Sequence, residues 1–280
     1  MIEMMSEKAY FRIGKLKVHR RMKQTQSYFK KWILISKWLR LIKELENLGR
    51  HIIEESGSTK RPSDPETVAK LLLIRTVSHV AAIRSLIKKR MVVEARTLTR
   101  SCVENFLWIG SLAENGEQTV AIMRDNDLKY RKLFGERLLQ SVTNEQKKQM
   151  VNLRQMLKDI KEDWPDVRTV TPKEIAEKGV IKETYIFYSE LSMDSAHPTT
   201  DSLSRHLSDT SFCFEPKLRP SETENTLWYI AITLLGACVG VNQIVGGTQA
   251  GKKLTEMEAR YQRIYQQHTT QKNFLPSKAI

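Results

Sequence analysis

Three charged residues recur at one-turn spacing in a segment whose apolar residues follow a helical period. Arg96, Arg100 and Glu104 stand four residues apart, so a helix places them in one row on its surface. Apolar side chains flank this row, which predicts burial on two sides, and desolvated charges need partners. The simpler interpretation is an Arg–Glu pair that orients helices. The functional one makes Arg100 an anion clamp and Glu104 a general base whose pKa is shifted by burial.

A second polar group lies in residues 185–206, around a predicted break between helices. Pro198 disfavours helical backbone at the residue before it, His197, so this imidazole is expected where a helix ends. Assisted by Tyr188, His197 could act as a general acid–base. A hydrogen-bonded helix junction, a Ser–His–Asp arrangement and a metal site remain alternatives, the metal ligands being Asp194, His197, Asp201 and His206. No spacing matches an established metal motif, so we expect neither metal nor cofactor.

A third pair, Arg75 and His79, interrupts the apolar stripe of an earlier helix. Helical ribonucleases of the HEPN type carry an arginine followed, after four to six residues, by a histidine. Here three residues separate the two, so that motif is not matched. The ordinary interpretation of such a histidine is a hydrogen-bonded core residue.

The segments around the first two groups resemble a bacterial, all-helical family of unknown function. The resemblance rests on AIRSLIKKRMVVEARTLTRSCVENFLW (82–108) and YIFYSELSMDSAH (185–197), and spans roughly residues 66–246. The matching positions are Ala95, Arg100, Glu104, Tyr188, Ser192 and His197. The resemblance implies one catalytic pocket formed by Arg100, Glu104, Tyr188 and His197. Some related bacterial helical domains act in phage defence or in toxin–antitoxin pairs, and the resemblance implies such a context here.

Helices must position these groups, and apolar periodicity with helix-start signals predicts ten of them. Asp64 before Pro65 indicates an N-cap followed by proline at the first helical position. Capping boxes are predicted for Thr143 with Gln146, Thr171 with Glu174, Ser221 with Glu224, and Thr255 with Glu258. No segment supplies paired alternating strands. The predicted helices lie near 27–53, 65–90, 92–113, 117–140, 143–163, 172–178, 182–194, 200–208, 221–246 and 255–268.

This pattern predicts an all-α, multi-helix bundle with a central apolar helix and a basic N-terminal helical arm. The central helix comes from Asn225–Gly251, which contains no charged residue. Burial of this helix on all sides is favoured over a membrane span, because polar residues and glycines interrupt its apolar sequence. Gly236 and Gly240, four residues apart, would let a neighbouring helix approach closely. The predicted division is residues 1–62 for the arm and amphipathic helix, 63–268 for the core domain and 269–280 for the tail.

The net charge of +14 is concentrated at the N-terminus. Residues 1–43 contain twelve Lys and Arg against two Glu, and so carry +10 of it. Such a segment attracts phosphate-rich partners, so we expect RNA or DNA to bind it through Lys15, Lys17, Arg20, Arg21, Lys23, Lys30 and Lys31. A solubilising face, a protein partner, a homo-oligomer and, less favoured, a membrane surface bound through Trp32 and Trp38 are the alternatives.

Three scattered cysteines and the absence of a signal-peptide pattern at the N-terminus predict a cytoplasmic protein with reduced thiols. The function that we predict is a nucleic-acid-acting bacterial effector, metal-independent and ribonuclease-like, in phage defence or a toxin–antitoxin pair. The first alternative is a non-enzymatic helical scaffold or sensor that binds nucleic acid or a protein partner. The second is a peripheral membrane protein.

Overall fold

The computed structural model describes the backbone of residues 2–57, 61–179, 181–195, 198–219 and 221–273. Side chains are described from residue 29 to residue 270, except around these gaps and at residues 194–195. Secondary structure in these ranges is helical, and a single bridge between Leu207 and Phe212 is their only β pairing. The predicted all-α fold is therefore confirmed. The helices are α1 (Ile2–Glu55), α2 (Pro65–Lys88), α3 (Val92–Ser141), α4 (Asn144–Gln149), α5 (Val151–Asp163), α6 (Pro172–Lys178), α7 (Tyr185–Ser195), α8 (Thr200–Ser204), α9 (Glu222–Ile244) and α10 (Leu254–Asn273).

The first helix, α1, runs without a break from Ile2 to Glu55, whereas the sequence predicted a helix only from residue 27. The basic segment ahead of that residue contains no proline, and most of its side chains are good helix formers. Further along, α1 enters the core, where Trp38, Leu41 and Leu45 are fully buried. The amphipathic helix thus packs on the protein's own core.

The predicted helix starts were correct where a side chain caps the first turn. Asp64 accepts a hydrogen bond from the Glu66 amide at 3.0 Å, and Pro65 follows at the first helical position. Capping boxes form at Thr143 and Thr171 as predicted, and an additional one forms at Thr199.

Two of the predicted capping boxes were wrong. Ser221 has a left-handed backbone, with φ of 60°, and its side chain caps nothing. Thr255 lies inside α10, which begins at Leu254 directly after the 3-10 turn Ala250–Lys253, so it is not at an N-cap position.

The helical span α3 consists of two segments, in agreement with the two helices predicted near 92–113 and 117–140. They meet at a kink at Gly116, whose φ of 38° and ψ of −112° are not helical. Its first half packs against α2, α7 and α9. Its second half contacts α5, and a Cβ at Gly135 would lie 3.0 Å from Leu157 and 3.1 Å from Leu153. After the kink, Val120 and Met123 still pack on the main core, and the more distant part of this segment pairs with α5.

The central helix is α9, which packs against α1, α2, α3 and α10. A Cβ at Gly236 would overlap the ring of Phe106, and one at Gly240 would lie 2.7 Å from Ile109. The predicted close approach of a neighbouring helix is thus present, and the neighbour is α3. Among the described residues α9 is the one helix long and apolar enough to cross a membrane, and more than half of its apolar window is buried inside the protein.

Candidate functional site

The candidate site lies between α3 and α7, and its centre is Arg100. The Arg100 guanidinium donates through Nε to Ser192 Oγ at 2.8 Å and through Nη2 to the Tyr188 hydroxyl. Its Nη1 lies 3.8 Å from Glu104 Oε2, one turn further along α3. Ser192 in turn donates to the Tyr188 carbonyl at 2.7 Å, which fixes the α7 side of the site. The side chains of Arg100 and Glu104 keep 26% and 39% of their surface exposed, so solvent reaches both charges.

Tyr188 is the buried member of this group. Its ring stacks on Tyr185 with centroids 5.9 Å apart, and the Arg100 guanidinium carbon lies 4.4 Å from the Tyr188 ring centre. Burial raises the pKa of the Tyr188 hydroxyl, and the nearby Glu104 carboxylate raises it further, against the opposing charge of Arg100. The phenol therefore stays protonated near neutral pH, and it can donate a proton or a hydrogen bond but cannot serve as a base.

Three of the four predicted catalytic residues thus meet in one cluster, Arg100, Glu104 and Tyr188, together with Ser192. His197 lies outside the described residues. Glu104 is more exposed than the sequence predicted, because the row that it shares with Arg100 lies at the edge of the α3–α7 contact. Whether these residues catalyse a reaction stays a prediction.

The residues considered as metal ligands have other partners where the structure describes them. Asp201 forms an ion pair with Arg219, and His206 Nδ1 lies 2.9 Å from the Cys213 carbonyl. The side chain of Asp194 lies outside the described part, like His197. Within the described part of the chain, no three His, Cys, Asp or Glu side chains are grouped so that they could hold a metal ion.

One turn before Arg100, Arg96 lies in a second network, in which its ion pair with Glu222 is buried. Its Nε is 3.5 Å from Glu222 Oε1, and both side chains are 4% exposed. Arg205 binds the same carboxylate in a bidentate pair, at 2.9 and 2.7 Å, and the Arg219 amide adds a bond of 3.1 Å. Burial alone would raise the pKa of Glu222, but these hydrogen bonds and the charges of both arginines outweigh it and lower the pKa. Glu222 therefore stays ionised and ties α3, α9 and the segment after α8 together.

The two networks share α7. Glu190 lies 3.4 Å from Arg96 and accepts a hydrogen bond from the Tyr229 hydroxyl. Tyr229 is buried, and desolvation together with the Glu190 carboxylate raises its pKa well above the usual value. Arg96 and Arg100 thus hold α7 against α3 at two points one turn apart. The sequence analysis singled out Arg96 but did not predict this second network. Its other members include Arg205, Glu222 and Tyr229, which follow no common spacing in the sequence.

The pair Arg75 and His79 lies on α2, away from this cluster. Burial, and then the charge of Arg75, lower the pKa of His79, so the imidazole is neutral near pH 7. Its Nδ1 is buried without a hydrogen-bond partner in the described part of the chain. No acidic or second basic group completes an acid–base pair there among the described contacts.

Two of the seven residues predicted to bind nucleic acid have described side chains. Lys30 is exposed. Lys31 is 3.0 Å from Glu224 at the start of α9, so that lysine has an internal partner. The other five, Lys15, Lys17, Arg20, Arg21 and Lys23, lie in α1 with side chains outside the described part.

Residues 66–213, more than half of the chain, match a family of unknown function (DUF5677). The chain belongs to this family. The matched segment includes the whole Arg100 cluster and, from its supporting network, Arg96, Glu190 and Arg205, but not Arg219, Glu222 or Tyr229. The predicted resemblance to a helical family of unknown function is confirmed. No curated protein and no solved structure matches the chain.

Proposed function

We propose that this protein binds nucleic acid, with the basic part of α1 along the phosphate backbone. The observation that carries the proposal is the placement of charge. Residues 1–43 hold twelve Lys and Arg against two Glu. Residues 2–55 form one continuous helix, and its C-terminal half is anchored in the core by Trp38, Leu41 and Leu45. A rigidly anchored cationic helix concentrates positive potential where a polyanion can bind.

The expected recognition is of charge rather than of base sequence. Lysine and arginine contacts to phosphate fix position and orientation but read no base edges. Exposed aromatic side chains on the same helix, Phe29 at 63% and Trp32 at 65%, provide faces on which unpaired bases can stack. These aromatics favour a single-stranded ligand over a duplex.

The test is the salt dependence of binding to a single-stranded RNA of about 20 nucleotides. If about six phosphates are contacted, affinity should fall by roughly 300-fold between 50 and 200 mM salt. Substituting Lys15, Lys17, Arg20, Arg21 and Lys23 with glutamine should flatten this slope. Absence of RNA binding at 50 mM salt would overturn the proposal.

Anionic vesicles are the necessary control, because a membrane-surface helix would share the salt dependence. A membrane-bound α1 would bury Trp32 in the bilayer and shift its fluorescence to the blue. Trp38 cannot report such an event while the fold is intact, since it is fully buried. The peripheral membrane protein would be favoured if the protein bound vesicles but not RNA, and if the blue shift of its fluorescence were lost in Trp32→Phe.

A second candidate function is metal-independent cleavage of the bound RNA at the Arg100 cluster. It is favoured by a partly exposed guanidinium beside a phenol that stays protonated. In such a step a general base, Glu104 or His197, takes the proton of a ribose 2′-hydroxyl, whose oxygen attacks the adjacent phosphorus. The bond from phosphorus to the 5′-oxygen breaks, and an acid such as Tyr188 protonates that leaving oxygen while Arg100 neutralises the phosphoryl charge. The products are a 2′,3′-cyclic phosphate and a 5′-hydroxyl.

The cleavage proposal is tested with end-labelled RNA in the presence of EDTA. Three results would support an effector of the phage-defence or toxin–antitoxin kind: RNA cleavage persists with the chelator, DNA is not cleaved, and His197→Ala loses cleavage while its melting temperature is unchanged. Expression of the active chain should then be toxic to the host cell. Binding without cleavage would leave the non-enzymatic scaffold or sensor as the function.

A further inference from the structure

The turn between α2 and α3 places an arginine where helix ends usually carry glycine. The Met91 amide donates to the Leu86 carbonyl and the Arg90 amide to the Ile87 carbonyl, both at 3.0 Å. These two bonds form a Schellman motif, whose left-handed position is Arg90 with φ of 63°. Glycine adopts this conformation without steric cost, and a side chain does not. A strained position that keeps a long cationic side chain points to a use for that side chain.

A buried carboxylate organises further cations on the adjoining surface. Glu46 of α1 is 3% exposed, and three cations surround it: Arg84 at 2.5 Å, Lys43 at 3.1 Å and Arg50 at 3.5 Å. Burial alone would raise the pKa of Glu46, but the hydrogen bonds and charges of Lys43 and Arg84 lower it. Three positive charges against one negative charge leave the group cationic. The carboxylate also fixes the positions of the cations before any ligand arrives.

The two features are neighbours along α2, since Arg84 precedes Arg90 by less than two helical turns. α2 runs antiparallel to α1, since Arg84 meets Glu46 while Lys70, fourteen residues earlier, donates to the Ser56 carbonyl at 2.8 Å. Lys88 follows Arg84 by one turn on the same face of α2, in the direction of Lys43. Lys88, Lys89 and Arg90 are all exposed. We define the α1–α2 basic surface as Lys43, Arg50, Arg84, Lys88, Lys89 and Arg90.

We propose that the α1–α2 basic surface is a second binding site for the phosphodiester backbone of a single-stranded nucleic acid, on the folded core and separate from the N-terminal part of α1. The proposal rests on the proposed nucleic-acid binding and extends it beyond residues 1–43, to Arg50, Arg84, Lys88, Lys89 and Arg90. A bilayer fits less well, because the apolar side chains of α1 that it would bury, Phe29 and Trp32, lie about three turns before Lys43. The turn also begins α3, so Arg100 lies about 15 Å further along that helix.

The test uses the full-length chain and a 20-nucleotide single-stranded RNA, with DNA of the same sequence alongside. In Arg90→Gly we expect a Tm equal to or above that of the unsubstituted protein, because glycine suits the left-handed position. Its plot of log affinity against log salt should become shallower by about 0.7, the value of one lost phosphate contact. Lys88→Gln with Lys89→Gln should lower the slope by about twice that amount.

The matched control is Lys147→Gln with Lys148→Gln, two adjacent lysines in the last turn of α4, which should leave the slope unchanged. The second site would be overturned if the Arg90 variant and the Lys88–Lys89 variant both kept the salt slope of the unsubstituted protein. The proposed binding by α1 would not be affected by that result. Equal losses in the α4 control would also overturn it, since net charge rather than this surface would then determine affinity. A lower Tm for Arg90→Gly would contradict the role given to Arg90. Failure of the unsubstituted protein to bind RNA, or binding to anionic vesicles alone, would overturn both proposals.

Discussion

Gly236 of α9 lies directly against the ring of Phe106 of α3, so closely that a Cβ would overlap the ring. Glycine costs a helix interior about 1 kcal/mol relative to alanine, and here the contact explains its presence. The same approach of α9 to α3 brings Glu222, at the start of α9, to Arg96. A backbone contact in the core therefore sets the distance on which the buried ion network depends.

Gly236→Ala should destabilise the protein although alanine is the better helix former. The added methyl group must displace Phe106 or push α9 away from α3, and overpacking of this kind costs on the order of 1–3 kcal/mol. Urea unfolding measures the difference. In a Phe106→Leu background the same substitution should cost clearly less, because the smaller side chain leaves room, and an equal loss in both backgrounds would contradict this explanation.

Glu222→Gln should remove the charge that compensates Arg96 and Arg205. Loss of one partner from a buried ion pair costs on the order of 3–5 kcal/mol, so the free energy of unfolding at pH 7 should fall by about this amount. The exposed pair of Lys158 and Glu162 offers the control, since Glu162→Gln should change stability by less than about 1 kcal/mol.

The pH dependence of this effect has a definite sign. The pKa of Glu222 is lower in the folded protein than in the unfolded chain, so its contribution is complete above the unfolded value, near 4.5. It is lost as pH falls through the lowered folded value. The difference in stability between the unsubstituted protein and Glu222→Gln should therefore shrink on acidification below pH 4.5. A difference that stays constant from pH 7 to pH 3 would contradict the assignment.

Tyr188→Phe separates the hydrogen bond of Arg100 from its contact with the ring. The variant keeps the aromatic face and loses one hydroxyl, so stability should fall by about 1 kcal/mol. If the cluster cleaves RNA, cleavage should fall about 10²- to 10⁴-fold with RNA affinity unchanged. Tyr185→Phe, in the neighbouring stacked ring, should leave cleavage unaltered, and equal effects of the two substitutions would contradict a role for the Tyr188 hydroxyl.

The three cysteines should differ in reactivity. Cys102 and Cys238 are completely buried, and burial raises the pKa of the Cys238 thiol to about 12 and that of Cys102 higher still. Cys213 is half-buried. A disulfide reagent at pH 8 should therefore modify Cys213 in the folded protein and all three thiols after unfolding. Modification of Cys102 or Cys238 at the rate of Cys213 would show that the core opens readily.

Local chemistry explains which parts of the fold could be predicted. Asp64, Thr143 and Thr171 cap their own helices through hydrogen bonds within three residues, and such contacts can be read from adjacent letters. The capping box predicted at Ser221 was wrong because the spacing of Ser221 and Glu224 fits that motif, whereas the backbone at Ser221 is left-handed. There the adjacent Glu222 binds Arg205, seventeen residues away. No pattern in the immediate sequence reports that contact.

The candidate site also divides into contacts within one helix, which the sequence predicts, and contacts between helices, which it does not. Arg100 and Glu104 were found because one helical turn separates them. Tyr188 was found in the polar segment beside His197, and the resemblance pointed to both Tyr188 and Ser192. Glu222 and Tyr229 lie on a different helix, and their contacts exist only once α9 crosses α3. A buried carboxylate at the start of an apolar helix was the one available signal, since such a charge requires a cationic partner.

The boundaries of the family match and of the hydrophobic core do not coincide. Residues 66–213 include α2 and α3 but exclude α1 and α9, whose Trp38, Leu45, Leu234 and Cys238 are all inaccessible to solvent in the same core. A fragment cut at the family limits would leave apolar faces of α2 and α3 uncovered and would separate Arg96 from Glu222. The segment that the family match covers is therefore smaller than the segment that folds. A fragment that keeps the Arg100 cluster on an intact core has to extend beyond residues 66–213 on both sides, to include α1 and α9.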